Sequence, residues 1–168
     1  MSNPEYWLRG PVEDVIPLLQ PVAHALLQAR DDVAGAIAPL SSTQLWMRPG
    51  DAASVGFHVT HLAGSLDRLL TYARGEQLSP EQITALKSEA LAGDPPSDAT
   101  SLITLLRGRI DTALRQVRTT PESDLFVERR VGRQGLLSNT VGLLFHAAEH
   151  AARHAGQIIT TARIVSRR

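Results

Sequence analysis

Three histidines recur at four-residue spacing near the C-terminus, His146, His150 and His154 in FHAAEHAARHAGQI. Residues four apart on an α-helix sit one turn above each other on the same face, so two of them can present imidazole nitrogens to a single ion. Three successive turns of one straight helix cannot converge on a point. His146, His150 and His154 therefore cannot all be ligands, and a further one must come from another element. Two more histidines, His58 and His61, lie far upstream in GFHVTHLAGSLDRLL, and spacing alone leaves open which of them would complete a site. The remaining histidine, His24, reads as a surface residue or a satisfied core donor.

Other chemistries are poorly represented. The run from His146 to His150 spells H-x-x-E-H, the inverted zinc-protease signature, in which Glu149 would be the general base. Such proteases need an acidic ligand well downstream, and no Asp or Glu follows Glu149. The match reads as accidental, with Glu149 facing solvent. There is no G-x-S-x-G, no G-x-x-x-x-G-K-[ST] and no G-x-G-x-x-G after a strand. The neighbours Glu13 with Asp14 and Asp31 with Asp32 read as solvated faces, and Arg129, Arg130, Arg133, Arg167 and Arg168 as ordinary surface charge.

Composition narrows the choice further. The chain has 168 residues, with 17 Lys and Arg against 17 Asp and Glu. That length suits a single domain over 1–168 with its own core. The zero net charge removes the usual electrostatic argument for nucleic acid or an anionic membrane. Cysteine is absent, so disulfides, thiolate ligands and a cysteine nucleophile are excluded, leaving His, Asp and Glu for any site. No stretch approaches ~18 consecutive apolar residues and the N-terminus lacks a signal-like pattern, so a soluble, cytoplasmic protein is expected.

The elements that must position the histidines follow from periodicity. Four long segments repeat at three and four, separated by breaks at Pro39 to Gly50, Gly93 to Ser97 and Thr119 to Asp124. The first spans about Val12 to Ala38, where Pro17 and Pro21 predict a short helix followed by a longer one. The second begins near Asp51 to Ser54 and stops at Gly75. A shorter helix is expected from Pro80 to Leu91, a third long one from Ala99 to Arg118, and a fourth from Ser138 or Asn139 to Val165. Before the fourth, Gly132 and Gly135 in LFVERRVGRQGLLS allow a tight turn and a small hairpin. Each apolar stripe must be buried against others, so the fold class is all-α, a four-helix bundle with a long crossover after the second helix.

On a helical wheel at ~100° per residue, Leu144, Ala147, Ala151, Ile158 and Ala162 centre the apolar face of the last helix. Leu143, His146, His150, His154, Gln157 and Thr161 form a stripe roughly 90° to one side. On the second helix His61 lies about 120° from the core face, with His58 between. Both helices thus carry histidine at the shoulder of the apolar stripe, as a cleft between helices requires.

With these features the chain resembles the DinB/YfiT-like family of metalloenzymes. The resemblance rests on GFHVTHLAGSLDRLLTYARGE, in which His61 falls at the family's first ligand position, and on EHAARHAGQI, whose H-x-x-x-H followed by G-Q supplies His150 and His154. WMRPGDAAS looks like the family's tryptophan-containing lead into the second helix. The likeness covers essentially the whole chain, most clearly Trp46 to Ile164. It implies a bundle holding one divalent metal ion through His61, His150 and His154, zinc or nickel first, with iron and copper also suited to three imidazoles. His58 and His146 would then be outer donors, proton carriers or substrate contacts.

The resemblance also implies a metal-dependent transferase or hydrolase acting on a small-molecule electrophile. Relatives of this kind use low-molecular-weight thiols such as bacillithiol or mycothiol, whose pKa a metal would lower. A thiol supplied by the cosubstrate fits a chain without cysteine. The alternative is a metal-binding or metal-stabilised homodimer without catalysis. No nucleic acid and no membrane is expected among the partners.

Overall fold

The computed structural model describes residues 4–91 and 96–167. Its frame is four long helices, α1 (Gln20–Ile37), α3 (Val55–Ala73), α5 (Ala99–Thr119) and α6 (Thr140–Val165), with short helices α2 (Ser42–Trp46) and α4 (Pro80–Ser88) in the connections. α6 packs along both α1 and α3, and α5 closes the other side against the same two helices. This is the expected four-helix bundle with a long crossover, here carrying α4, between the second and third long helices. The expected break at Gly93 to Ser97 lies mostly outside the described residues.

Local chemistry explains the boundaries. Pro17 opens a single 3-10 turn and Pro21 sits in the first turn of α1, so the first long helix starts at Gln20 rather than Val12. Proline lacks the N–H that a helix interior needs, but the first turn has no use for it. Ser54 accepts from the Phe57 amide to start α3, and Gly75 at φ +81° ends the chain's run beyond it. Asp98 caps α5 and Asn139 caps α6 through the Gly142 amide at 2.8 Å. Each cap satisfies one otherwise orphaned helix-end donor, a contribution of about 1 kcal/mol.

The region from Pro39 to Gly50 is not only a break. Ser41 and Gln44 form a reciprocal capping box that starts α2, and its last residue, Trp46, donates from Nε1 to the Ser97 carbonyl at 2.9 Å. The hairpin is present as well. β1 (Glu128–Val131) pairs antiparallel with β2 (Leu136–Asn139), and the turn places Gly132 and Gly135 at φ +68° and +62°, a left-handed conformation suited to glycine. Arg129 ties the hairpin to the end of α3 by donating to the Ala73 carbonyl at 2.8 Å.

The core runs down the bundle axis through Leu26, Val33 and Ile37 of α1, Leu62, Leu66 and Leu70 of α3, Leu102, Leu106 and Ile110 of α5, and Leu144, Ala151 and Ile158 of α6. Burying one such leucine or isoleucine contributes about 1.5–3 kcal/mol. That packing fixes the register of α3 against α6, and with it the relative height of their histidines.

Candidate metal centre

α3 brings His58 and His61, and α6 brings His146, His150 and His154, to the groove between the two helices. His61, His150 and His154 form a compact group, each offering one nitrogen within 4.8 Å of the others. Their ring centroids lie 4.8 Å apart for His61 and His154, 5.4 Å for His61 and His150, and 4.4 Å for His150 and His154. Phe57 stacks on the His61 ring at 5.5 Å with the planes 13° apart. The α6 stripe that the wheel places beside the core reaches further inward than expected, because His154 and Thr161 are both buried.

The hydrogen-bond partners of the three rings differ. His61 Nδ1 lies 2.8 Å from Glu89 Oε2, and its Nε2 lies 3.3 Å from the Ser65 hydroxyl. A carboxylate only accepts, so Nδ1 carries a proton, and Nε2 is the nitrogen that Glu89 leaves unused. His154 Nδ1 lies 3.1 Å from His58 Nδ1, a contact in which one ring donates and the other accepts. Both ring nitrogens of His150 are buried without a partner among the described residues. Buried polar atoms are nearly always paired, and leaving one unpaired costs about 1–3 kcal/mol.

Electrostatics disfavour charge on His58, His150 and His154. Burial first, and then repulsion from His150, His61 and His58, pushes His154 down to about 4. Burial likewise lowers His58 and His150, helped by their histidine neighbours. Neutral imidazoles are the form that can donate a lone pair to a cation.

His58 and His146 stay outside the group of three. His58 backs His154, whereas His146 is exposed and pairs with Glu149 at 3.3 Å. Glu149 also takes Arg153, whose Nε is 3.0 Å away, and this guanidinium first of all holds its carboxyl below the usual range. A carboxylate engaged in that way on the outer face has no role as base beside His150, so the protease-like spelling is accidental. Arg129 and Arg130 are similarly engaged, with Ala73 and Glu128.

One residue of the site was not legible in the sequence. Glu89, just past the end of α4, is 8% exposed and joins His61 to Arg68. The only hint was an acid ending a short polar helix, which has no spacing pattern of its own. A cavity of about 440 Å³ lined by Tyr6, Trp7, His24, Gln28 and Ala155 lies on the opposite face of α6. His24 there is paired with the Gly10 carbonyl and Gln28 with Asp32.

Comparison with known proteins gives the chain a family and a structural neighbour. The profile described as the DinB superfamily matches residues 25–158, a span containing all three clustered histidines. The fold is similar to the crystal structure of the conserved protein of locus from Enterococcus faecalis, with a TM-score of 0.71 and 17% identity over 91% of this chain and 99% of that one. At that identity the likeness speaks to the fold. No curated protein matches the chain.

Proposed function

The chain belongs to the DinB superfamily, and on that premise we propose that it holds one divalent metal ion through His61, His150 and His154 and uses it to activate a thiol or water toward a small electrophile. The observation that carries the metal reading is His150, whose two buried nitrogens have no partner among the described residues. The donor set supports it, since three imidazoles suit zinc or nickel. Ligand nitrogens around one ion with ~2.0–2.1 Å bonds stand no more than ~4.2 Å apart, so nitrogens within 4.8 Å of one another need only slight side-chain rotation.

When bound, the ion would supply Lewis acidity that lowers the pKa of a thiol or a water. The chain's own residues set the protons around it. Glu89 holds the proton on His61 Nδ1. With His154 as the donor in its 3.1 Å contact with His58 Nδ1, the His154 Nε2 lone pair would be left for coordination. His146, exposed with its ring 5.7 Å from that of His150 and paired with Glu149, is the outermost histidine of the stripe. Cosubstrate sulfur fits a chain with no cysteine of its own.

The second reading is a metal-stabilised, non-catalytic homodimer. It is favoured by the exposed Phe126, Leu136, Leu137 and Phe145 on the hairpin and the head of α6, apolar surface that a second copy would cover. Turnover assays of zinc- and nickel-loaded protein with low-molecular-weight thiols against epoxide, halide and maleyl acceptors separate the two. Turnover supports the enzyme, while an intact metal site with no turnover, together with a dimer in sedimentation, supports the alternative. Unchanged metal content after replacing His150 and His154 together would count against both.

A further inference from the structure

We infer that Glu89 is a positioning residue for His61, and that through it the crossover helix α4 is coupled to the metal site; the inference rests on the reading of His61 as a ligand. α4 buries none of its own side chains, and its apolar residues Ile83 and Leu86 are exposed. Polar contacts hold it instead. Gln82 donates to Asp67 Oδ2 and Thr71 Oγ1 of α3 at 2.8 and 2.9 Å, and Glu89 is drawn into the groove one residue beyond the helix. A carboxylate taken that far from water must be paired and hydrogen-bonded to be tolerated.

Both Glu89 oxygens are used. Oε1 meets Arg68 Nη1, and Oε2 takes His61 Nδ1. Arg68 Nη2 also donates to the Ser65 hydroxyl at 3.2 Å, and that hydroxyl reaches back to His61 Nε2. The four side chains thus close a ring of hydrogen bonds around one imidazole, in which an ion on Nε2 would displace the Ser65 hydroxyl alone and leave Glu89 on Nδ1. α3 makes room for it at Gly64, where a Cβ would fall on Glu89 Oε1 and Arg68 Nη1. A simple structural ion pair needs only Arg68 and Glu89. The second oxygen on His61 fixes both the tautomer and the plane of the ring, the task that outer carboxylates perform for histidine ligands.

The coupling is reciprocal. Whatever factor the Glu89 contact adds to metal affinity, a bound ion adds to the seating of Glu89, and so of α4. Zinc and nickel titrations of the full-length wild type, Glu89→Ala and Glu89→Gln measure the first half. Nitrogen NMR of the metal-free proteins reads the His61 tautomer, which a merely structural ion pair would leave unchanged. Kd is expected to rise about 10–100-fold in Glu89→Ala, with His61 losing its Nδ1–H preference. Glu89→Gln, which keeps the shape and an accepting oxygen, is expected to recover part of both and serves as the test variant if the alanine protein does not fold. Wild-type Kd in Glu89→Ala, or a wild-type His61 protonated on Nε2, would overturn the positioning role alone. Wild type that binds neither ion would overturn the metal reading and this role together.

Discussion

Among the described residues, the two buried ring nitrogens of His150 have no partner, a cost that an ion would relieve at one of them and an apolar side chain would avoid at both. His150→Leu should therefore make the metal-free protein about 1–2 kcal/mol more stable, while metal affinity falls by more than the ~10–100-fold that loss of an outer partner costs. Denaturant unfolding and a zinc titration check both; a destabilised metal-free variant would contradict the account. His154 gives a pH dependence. The folded protein keeps it neutral down to about 4, whereas the unfolded chain protonates it near 6.5. The associated stability is complete above pH 6.5 and is lost as pH falls toward 4, by up to about 3 kcal/mol from this group. The lowered His58 and His150 act in the same direction. Unfolding of metal-free protein at pH 7.5, 6 and 5 should show the decline, and a flat profile would refute it. The histidines were legible because spacing on a helix is spacing in space. Glu89 was not, since its place depends on how a whole connection folds back over α3.

Among the helices, the long ones were legible because each must bury a stripe, and the stripe's period survives in the sequence. The starts were less so. Val12 fits the apolar pattern of the first segment, yet Gln20 spends its side chain on the Val12 amide and the Val12 and Val15 carbonyls, holding that stretch as a loop. α2 was missed because Pro39 and Gly50 suggest a loop, although Ser41 and Gln44 carried a readable capping signature. Two helix-interior glycines make a paired test. Gly108 of α5 has open space around its Cβ position, so Gly108→Ala should gain about 0.5–1 kcal/mol from helix propensity. Gly64→Ala has the same propensity to gain, but it displaces Glu89 and Arg68. It should show no gain in thermal melts and weaker zinc binding. Equal stabilisation by both substitutions would argue against a tightly seated Glu89.

Across the bundle, the proposed ligands come from α3 and α6, which meet only in the folded chain, so an ion there binds the native state and not the unfolded one. Zinc or nickel at 100 times Kd should then add about 2.7 kcal/mol to unfolding free energy. Differential scanning measurements on wild type and on the His150, His154 double variant test this, and equal metal-induced shifts would sink it. The two tryptophans, meanwhile, sit in contrasting places. Trp7 is 63% exposed, whereas the Trp46 indole lies so close to Gly56 that a Cβ there would overlap its ring, and it bonds to Ser97 where the crossover re-enters the bundle. Once Trp7 is changed to Phe, Trp46 becomes the chain's sole indole emitter. Its fluorescence then turns the junction between α2, α3 and the returning crossover into an optical gauge, readable in a stopped-flow cuvette without any attached dye.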